Sequence, residues 1–254
     1  MAFHYDYNST GSQQGYAAMD AGLRSYMLRV YNWMAVALAL TGVVAFAIIN
    51  TSLKEVFFHV ARTSSGFALA PTLLGYVGIF SPLVFVLVLS FGVNRLSRST
   101  AQLLFLVYSA VMGISLACIF FAYTGASVAR TFFITAGLFA AVSLWGYVTK
   151  RSLTGFGAFL TMGLIGLLIA MVVNMFFASS MMSMIISFVG VLVFTGFTAY
   201  DTQRIKFSYQ QQYAYLNPDE LAKNSIYDAL SMYLNFVNLF QFLLQFMGVR
   251  SDNR

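Results

Sequence analysis

Charge is what this chain has least of. Only 9% of its 254 residues are Asp, Glu, Lys or Arg, against about a quarter in a soluble domain. With 59% hydrophobic residues and a mean hydropathy of +0.77, there are too few charges to cover a water-soluble globule. The chain therefore reads as a membrane protein. Its single cysteine, Cys118, excludes an intramolecular disulfide and, lying mid-span, reads as a small packing residue. The only histidines are His4, in an N-terminal tail, and His59, in an outer loop. Intramembrane catalysis needs an embedded nucleophile with its base, paired catalytic aspartates or a metal cluster, so the expectation is no enzyme and no cofactor. No lysine follows Lys223, so the last span lacks the anchor that a retinal protein requires. No internal repeat is visible.

What the chain does have is long apolar runs. A helix needs about 20 residues to cross the hydrocarbon core, and seven runs qualify: 26–49, 69–93, 100–123, 131–148, 156–177, 181–200 and 226–247. Pro71 suits the start of the second, and Pro82 should kink it. Residues 1–22 lack the basic start and short apolar core of a cleaved signal and read as a flexible cytoplasmic tail. Residues 23–248 then form one seven-span domain, followed by a short C-terminal tail, 249–254. A cytoplasmic N-terminus places nine cations inside, among them Arg24, Arg98, Arg151, Arg204 and Lys206, and five outside: Lys54, Arg62, Arg130, Arg250 and Arg254. The C-terminus falls on the opposite face. The net charge of +6 reflects this asymmetry and attraction to anionic headgroups, and no basic, aromatic-interleaved groove suggests nucleic acid.

Small residues spaced by four allow helix backbones to approach in lipid. Ala136 with Ala140, Gly137 with Ala141, and Gly42 beside Thr41 fit that use. Asn174, the main polar group of the first five spans, suits an interhelical hydrogen bond. Polar groups concentrate near the end of the chain. On the last span Asp228, Ser231, Asn235, Asn238, Gln241 and Gln245 share one helical face, so that face should meet other helices or a water-filled cavity rather than lipid. The sixth span offers Thr195, Thr198, Asp201 and Thr202, and both faces converge near the cytoplasmic end. Asn217 and Pro218 look like an N-cap and first helical residue, with Asp219 and Glu220 at the positive helix end. Two carboxylates close together in a partly dry site resist ionising together, which favours binding a cation or proton. The simpler alternative pairs Asp201 with Arg204 one turn later, and Asp228 with Lys223 or water.

FTGFTAYDTQRIK at 194–206 and ALSMYLNFVNLFQFLLQFMG at 229–248 resemble the paired C-terminal signature of the Bax inhibitor-1 family, the transmembrane Bax inhibitor motif proteins. LRSYMLRVYNWMAVALALTG at 23–42 and GYVTKRSLTGFG at 146–157 extend the likeness over almost the whole chain. The short tail looks most like the bacterial, inner-membrane branch. The resemblance implies an all-α seven-helix bundle with a central last helix, and a pH-sensitive calcium leak channel or a regulator of membrane ion homeostasis. Eukaryotic relatives suppress cell death. It maps one pore-region carboxylate onto Asp201. The other falls in a motif reading LYLDF, which here is Met232, Tyr233, Leu234, Asn235 and Phe236. Asn235 can offer an ion its carbonyl but cannot titrate. Asp228 lies seven residues earlier, about 10.5 Å along the same face. Either Asp228 and Asp201 form a relocated acidic site, or the proton switch is lost. Some relatives set a basic residue of the second span against the acidic pair, but this span has none before Arg95, so a latch would need another donor.

The function expected first is a passive cation leak. Carboxylate, amide and hydroxyl oxygens from Asp201, Asp228 and Asn235, supported by Thr198, Arg204 and Asn238, suit calcium as the transported ion, with protons as modulators. The alternative is a non-conducting module that binds other membrane proteins, such as a quality-control protease or cell-death regulators.

Overall fold

The computed structural model describes residues 9–63, 66–92 and 96–251. His4, Arg95 and Arg254 lie outside the described residues, as do positions 1–8 of the expected tail and the last three residues. The expected all-α membrane bundle forms, with one hairpin added. Helix α1 runs Ser9–Asn50, so it already begins inside the segment read as a tail. The short α2 (Leu53–Phe57) and strands β1 (Phe58–Thr63) and β2 (Gly66–Pro71) follow. Then come α3 (Leu73–Gly92), α4 (Arg98–Ala122), α5 (Gly125–Val148), α6 (Thr154–Phe177), α7 (Ser180–Gln211) and α8 (Pro218–Met247). Among the described residues, six helices are long and apolar enough to cross a membrane: α1 from Met19, α4, α5, α6, α7 and α8. The 20-residue α3 carries Pro82 within it.

The differences from the sequence expectation have local causes. The second run was placed from 69, yet Leu69 pairs with Val60 in the antiparallel hairpin and Pro71 ends β2, so the helix starts only at Leu73. Apolar residues by themselves do not distinguish a buried strand from a helix end. α8 starts at Pro218, where Asn217 accepts the Glu220 N–H at 2.8 Å and caps it, and it runs unbroken to Met247. Ser97, Thr124 and Ser179 cap α4, α5 and α7 in the same way.

Helix α8 packs against α1, α4, α5 and α7, and most of it is buried, from Ala222 to Leu244. Its Tyr233 is fully enclosed. The ring makes edge contacts with Phe105 and Tyr108 of α4, and its hydroxyl lies 2.8 Å from Thr41 Oγ1 of α1. Thr41 in turn donates toward the Ala37 and Ser109 carbonyls at 2.9 and 2.8 Å, which ties α1, α4 and α8 together where no water is available. Asn174 makes the expected interhelical bond, donating to Ser183 Oγ at 2.8 Å across the α6–α7 turn.

The small residues give a different result from the one their spacing predicts. Gly42 and Gly137 have nothing within 4 Å of where a Cβ would stand, and Ala136 and Ala140 line a groove, with Ala136 also packed against the core. Of the residues named for this use, Thr41 does make a close approach, and a second one lies outside that set. The Ala199 backbone of α7 crosses at Gly146 of α5, and Thr41 of α1 at Gly113 of α4, where a Cβ would stand within 2.7 Å of the Thr41 carbonyl oxygen.

Candidate functional site

The end of α7 and the start of α8 run antiparallel, which brings Asp201 and Asp228 to the same depth. Both are almost fully buried, at 6% and 7% exposure, and Asn235 at 6% lies beside them. Asn235 Nδ2 donates to Asp201 Oδ2 at 2.6 Å. Arg204 then joins the two carboxylates: one guanidinium nitrogen, Nη2, lies 3.2 Å from Asp201 Oδ1 and 3.9 Å from Asp228 Oδ1. The remaining Asp228 oxygen accepts the Tyr26 hydroxyl of α1 at 2.7 Å. Three helices thus meet at one acidic cluster with one built-in cation.

The helical period explains this arrangement on each helix. Asp201 and Arg204 are three residues apart on one face of α7, and Asp228 and Asn235 are two turns apart on one face of α8. Leaving either carboxylate buried and unpaired would be costly, and each has two partners. The Arg204 side chain is 41% exposed, so the cluster is closed by a group with access to water. Tyr26 packs against Tyr209 and Tyr213 with ring centroids 5.2 and 5.6 Å apart. Tyr213 lies in a single 3-10 turn, Tyr213–Tyr215, between α7 and α8. Burial, together with the nearby Asp228 carboxylate, pushes its phenol above the ordinary range and keeps it protonated.

The rest of the 194–206 motif fixes its surroundings. Gln203 donates to the Arg151 carbonyl at 2.8 Å and accepts the Leu153 N–H at 2.7 Å, clamping the α5–α6 turn. Lys206 donates to the Tyr147 carbonyl at 2.8 Å. Thr198 is buried, but its hydroxyl donates to Phe194 of its own helix, and Asn238 likewise bonds the Leu234 carbonyl. Neither reaches the cluster. The simple pairing of Asp201 with Arg204 therefore forms, whereas Asp228 takes Tyr26 and Arg204 rather than Lys223. Tyr26, Gln203 and Lys206 carry contacts that the sequence did not single out. Among the described residues, no group of three or more His, Cys, Asp or Glu side chains could hold a metal ion.

A helical, multi-pass membrane protein with a buried acidic cluster at one end of its bundle is the class these features define. Residues 23–252 match the family described as "Inhibitor of apoptosis-promoting Bax1". The chain is 46% identical over 233 residues to an uncharacterized Rickettsia prowazekii protein, covering 92% of this chain and 93% of that one. It is 43% identical over 231 residues to the Escherichia coli K12 inner membrane protein YbhL, covering 91% and 94%. An uncharacterized Caulobacter vibrioides protein shares 42% over 232 residues, covering 91% of each. The chain belongs to the Bax inhibitor-1 family.

Proposed function

We infer that this protein is a seven-span bacterial inner-membrane protein, built around α8 with α3 as the remaining span, that acts as a passive cation leak with calcium as its transported ion. The observation that carries this is the sharing of one guanidinium nitrogen of Arg204 by two buried carboxylates from neighbouring helices. Arg204 fills the role of a tethered counter-ion. A cation moving past Asp201 must displace it, so the arrangement corresponds to a closed state that opens when Arg204 swings toward water. The donors left behind would be two carboxylates and the Asn235 amide, hard ligands of the kind calcium takes. The inner-membrane placement follows the name of the Escherichia coli relative, and the cytoplasmic N-terminus follows the cation bias. No catalysis and no resident cofactor are part of this proposal.

A second function is favoured by Asn235. A site that lacks the family's second aspartate and already holds an arginine also suits a non-conducting module that binds a membrane quality-control protease or a stress-response partner. Calcium entry into dye-loaded proteoliposomes across a pH series separates the two. A leak requires the parent to exceed protein-free vesicles, Asp201→Asn to fall to their level, Arg204→Gln to raise flux severalfold, and Asp228→Asn to alter the pH dependence. Parent flux equal to that of empty vesicles rules out conduction and leaves the interaction module.

A further inference from the structure

Helices α1 and α5 each pack on α8 but are not among the pairs that pack on each other. Between them lie two adjoining cavities of about 630 and 570 Å³, which share Leu38, Phe132 and Phe236 and so form one groove. It runs along α1 from Arg24 to Asn50, about 39 Å at about 1.5 Å per residue, which exceeds the hydrocarbon core of about 30 Å. Its floor is Phe236, Val237 and Phe240 of α8. Leu28, Phe46, Phe133 and Leu144 on its flanks are each more than half exposed, so the groove opens sideways toward lipid.

Small residues create this hollow. Gly42, Ala136 and Ala140 line it, and a side chain on Gly42 would meet nothing within 4 Å. The residues that line the groove are asymmetric in charge. At one end are Arg24 and Tyr147, with the Lys206 ammonium 2.8 Å from the Tyr147 carbonyl and 5.1 Å from the centre of its ring. At the other end is the neutral Asn50, whose amide is engaged by Phe46 of its own helix.

We propose that the α1–α5 groove binds a phospholipid with an anionic headgroup, an acyl chain lying along Phe132 and Phe236 and the phosphate meeting Arg24. An apolar channel facing the bilayer admits an acyl chain, and Arg24, the one cation among the residues lining the two cavities, offers the head a charged partner. The occupant would touch Phe236, next to Asn235, while Arg24 is two residues from Tyr26 on α1. Filling the groove would therefore bear on the helix pair that carries the Tyr26–Asp228 bond. The proposal rests on the membrane location alone, not on conduction.

The test is native mass spectrometry of the full chain in mild detergent, titrated with palmitoyl-oleoyl phosphatidylglycerol or with phosphatidylcholine of the same chains. The parent should hold the anionic lipid about fivefold more tightly, the effect of one basic residue near a headgroup. Arg24→Gln should abolish that preference and Arg24→Lys retain most of it. Ala140→Trp, on an exposed position of the groove wall, should lower occupancy by both lipids. Equal retention of the two lipids by the parent, or unchanged binding in Ala140→Trp, would overturn the proposal in favour of ordinary annular lipid. A lipid-free dimer that Ala140→Trp dissociates would instead assign the groove to a second copy.

Discussion

At the scale of single residues, the acidic cluster depends on hydrogen bonds between buried side chains. The Tyr26 hydroxyl is a direct donor to Asp228, and the two groups come from opposite ends of the chain. Tyr26→Phe keeps the ring packing against Tyr209 and Tyr213 but leaves Asp228 with only the longer Arg204 contact. The expected cost is about 1–3 kcal/mol, the range for stranding a buried acceptor, read as a lowered Tm in detergent. Tyr209→Phe, which leaves Asp228 its Tyr26 partner, should shift Tm much less. The sequence made half of this cluster visible. Helical period shows that Asp201 and Arg204, or Asp228 and Asn235, share a face of their own helix. It does not show which distant helix that face meets, so Tyr26 carried no signal beyond its place in the segment 23–42. For the same reason the donor missing from the second span could not be anticipated as Arg204 acting on both carboxylates.

At the scale of elements, helix existence was legible and helix contact was not. Long apolar runs announce spans because lipid forces every backbone group to be satisfied within the segment. Small-residue spacing marks where helices can approach, not where they do. The Ala136 and Ala140 pair, read as a contact, faces the groove, while Gly146 makes the close approach at Ala199, two residues before Asp201. Gly146→Val should therefore push α5 off α7 at the backbone. Overpacking of this kind typically costs about 1–3 kcal/mol. Gly137→Val, on the same helix with open space around it, should be close to neutral in the same thermal unfolding measurement. Equal losses in the two variants would mean that helix propensity rather than packing governs α5. The hairpin after α2 was missed because its apolar residues continue into the helix that follows.

For the whole molecule, the order of the helices fixes which connections share an end. The Arg98–Asp219 ion pair, the Gln203 clamp on the α5–α6 turn and the Tyr26–Asp228 bond gather the starts of α1, α4, α6 and α8 at the end that carries the acidic cluster. The opposite end holds residues 249–251. There Thr124 donates to the Val249 carbonyl at 3.0 Å, Val249 to Ser127 Oγ at 2.9 Å and Ser251 to the Phe121 carbonyl at 2.9 Å. Arg24, Arg29, Arg98, Lys150, Arg151, Arg204, Lys206 and Lys223 lie toward the first end, and Lys54, Arg62, Arg130 and Arg250 toward the second, so the positive-inside bias predicts a cytoplasmic acidic cluster. Single cysteines in a Cys118→Ala background test this with a membrane-impermeant maleimide. Thr51→Cys and Ser251→Cys, both at exposed positions, should label in cells whose outer membrane has been opened, whereas Ser152→Cys should label only after lysis. Labelling of Ser152→Cys alone in intact cells would invert the protein in the membrane. Labelling of Thr51→Cys and Ser152→Cys from one side would mean that the bundle does not cross the bilayer along its helix axes, and the acidic cluster could not then guard a path through it.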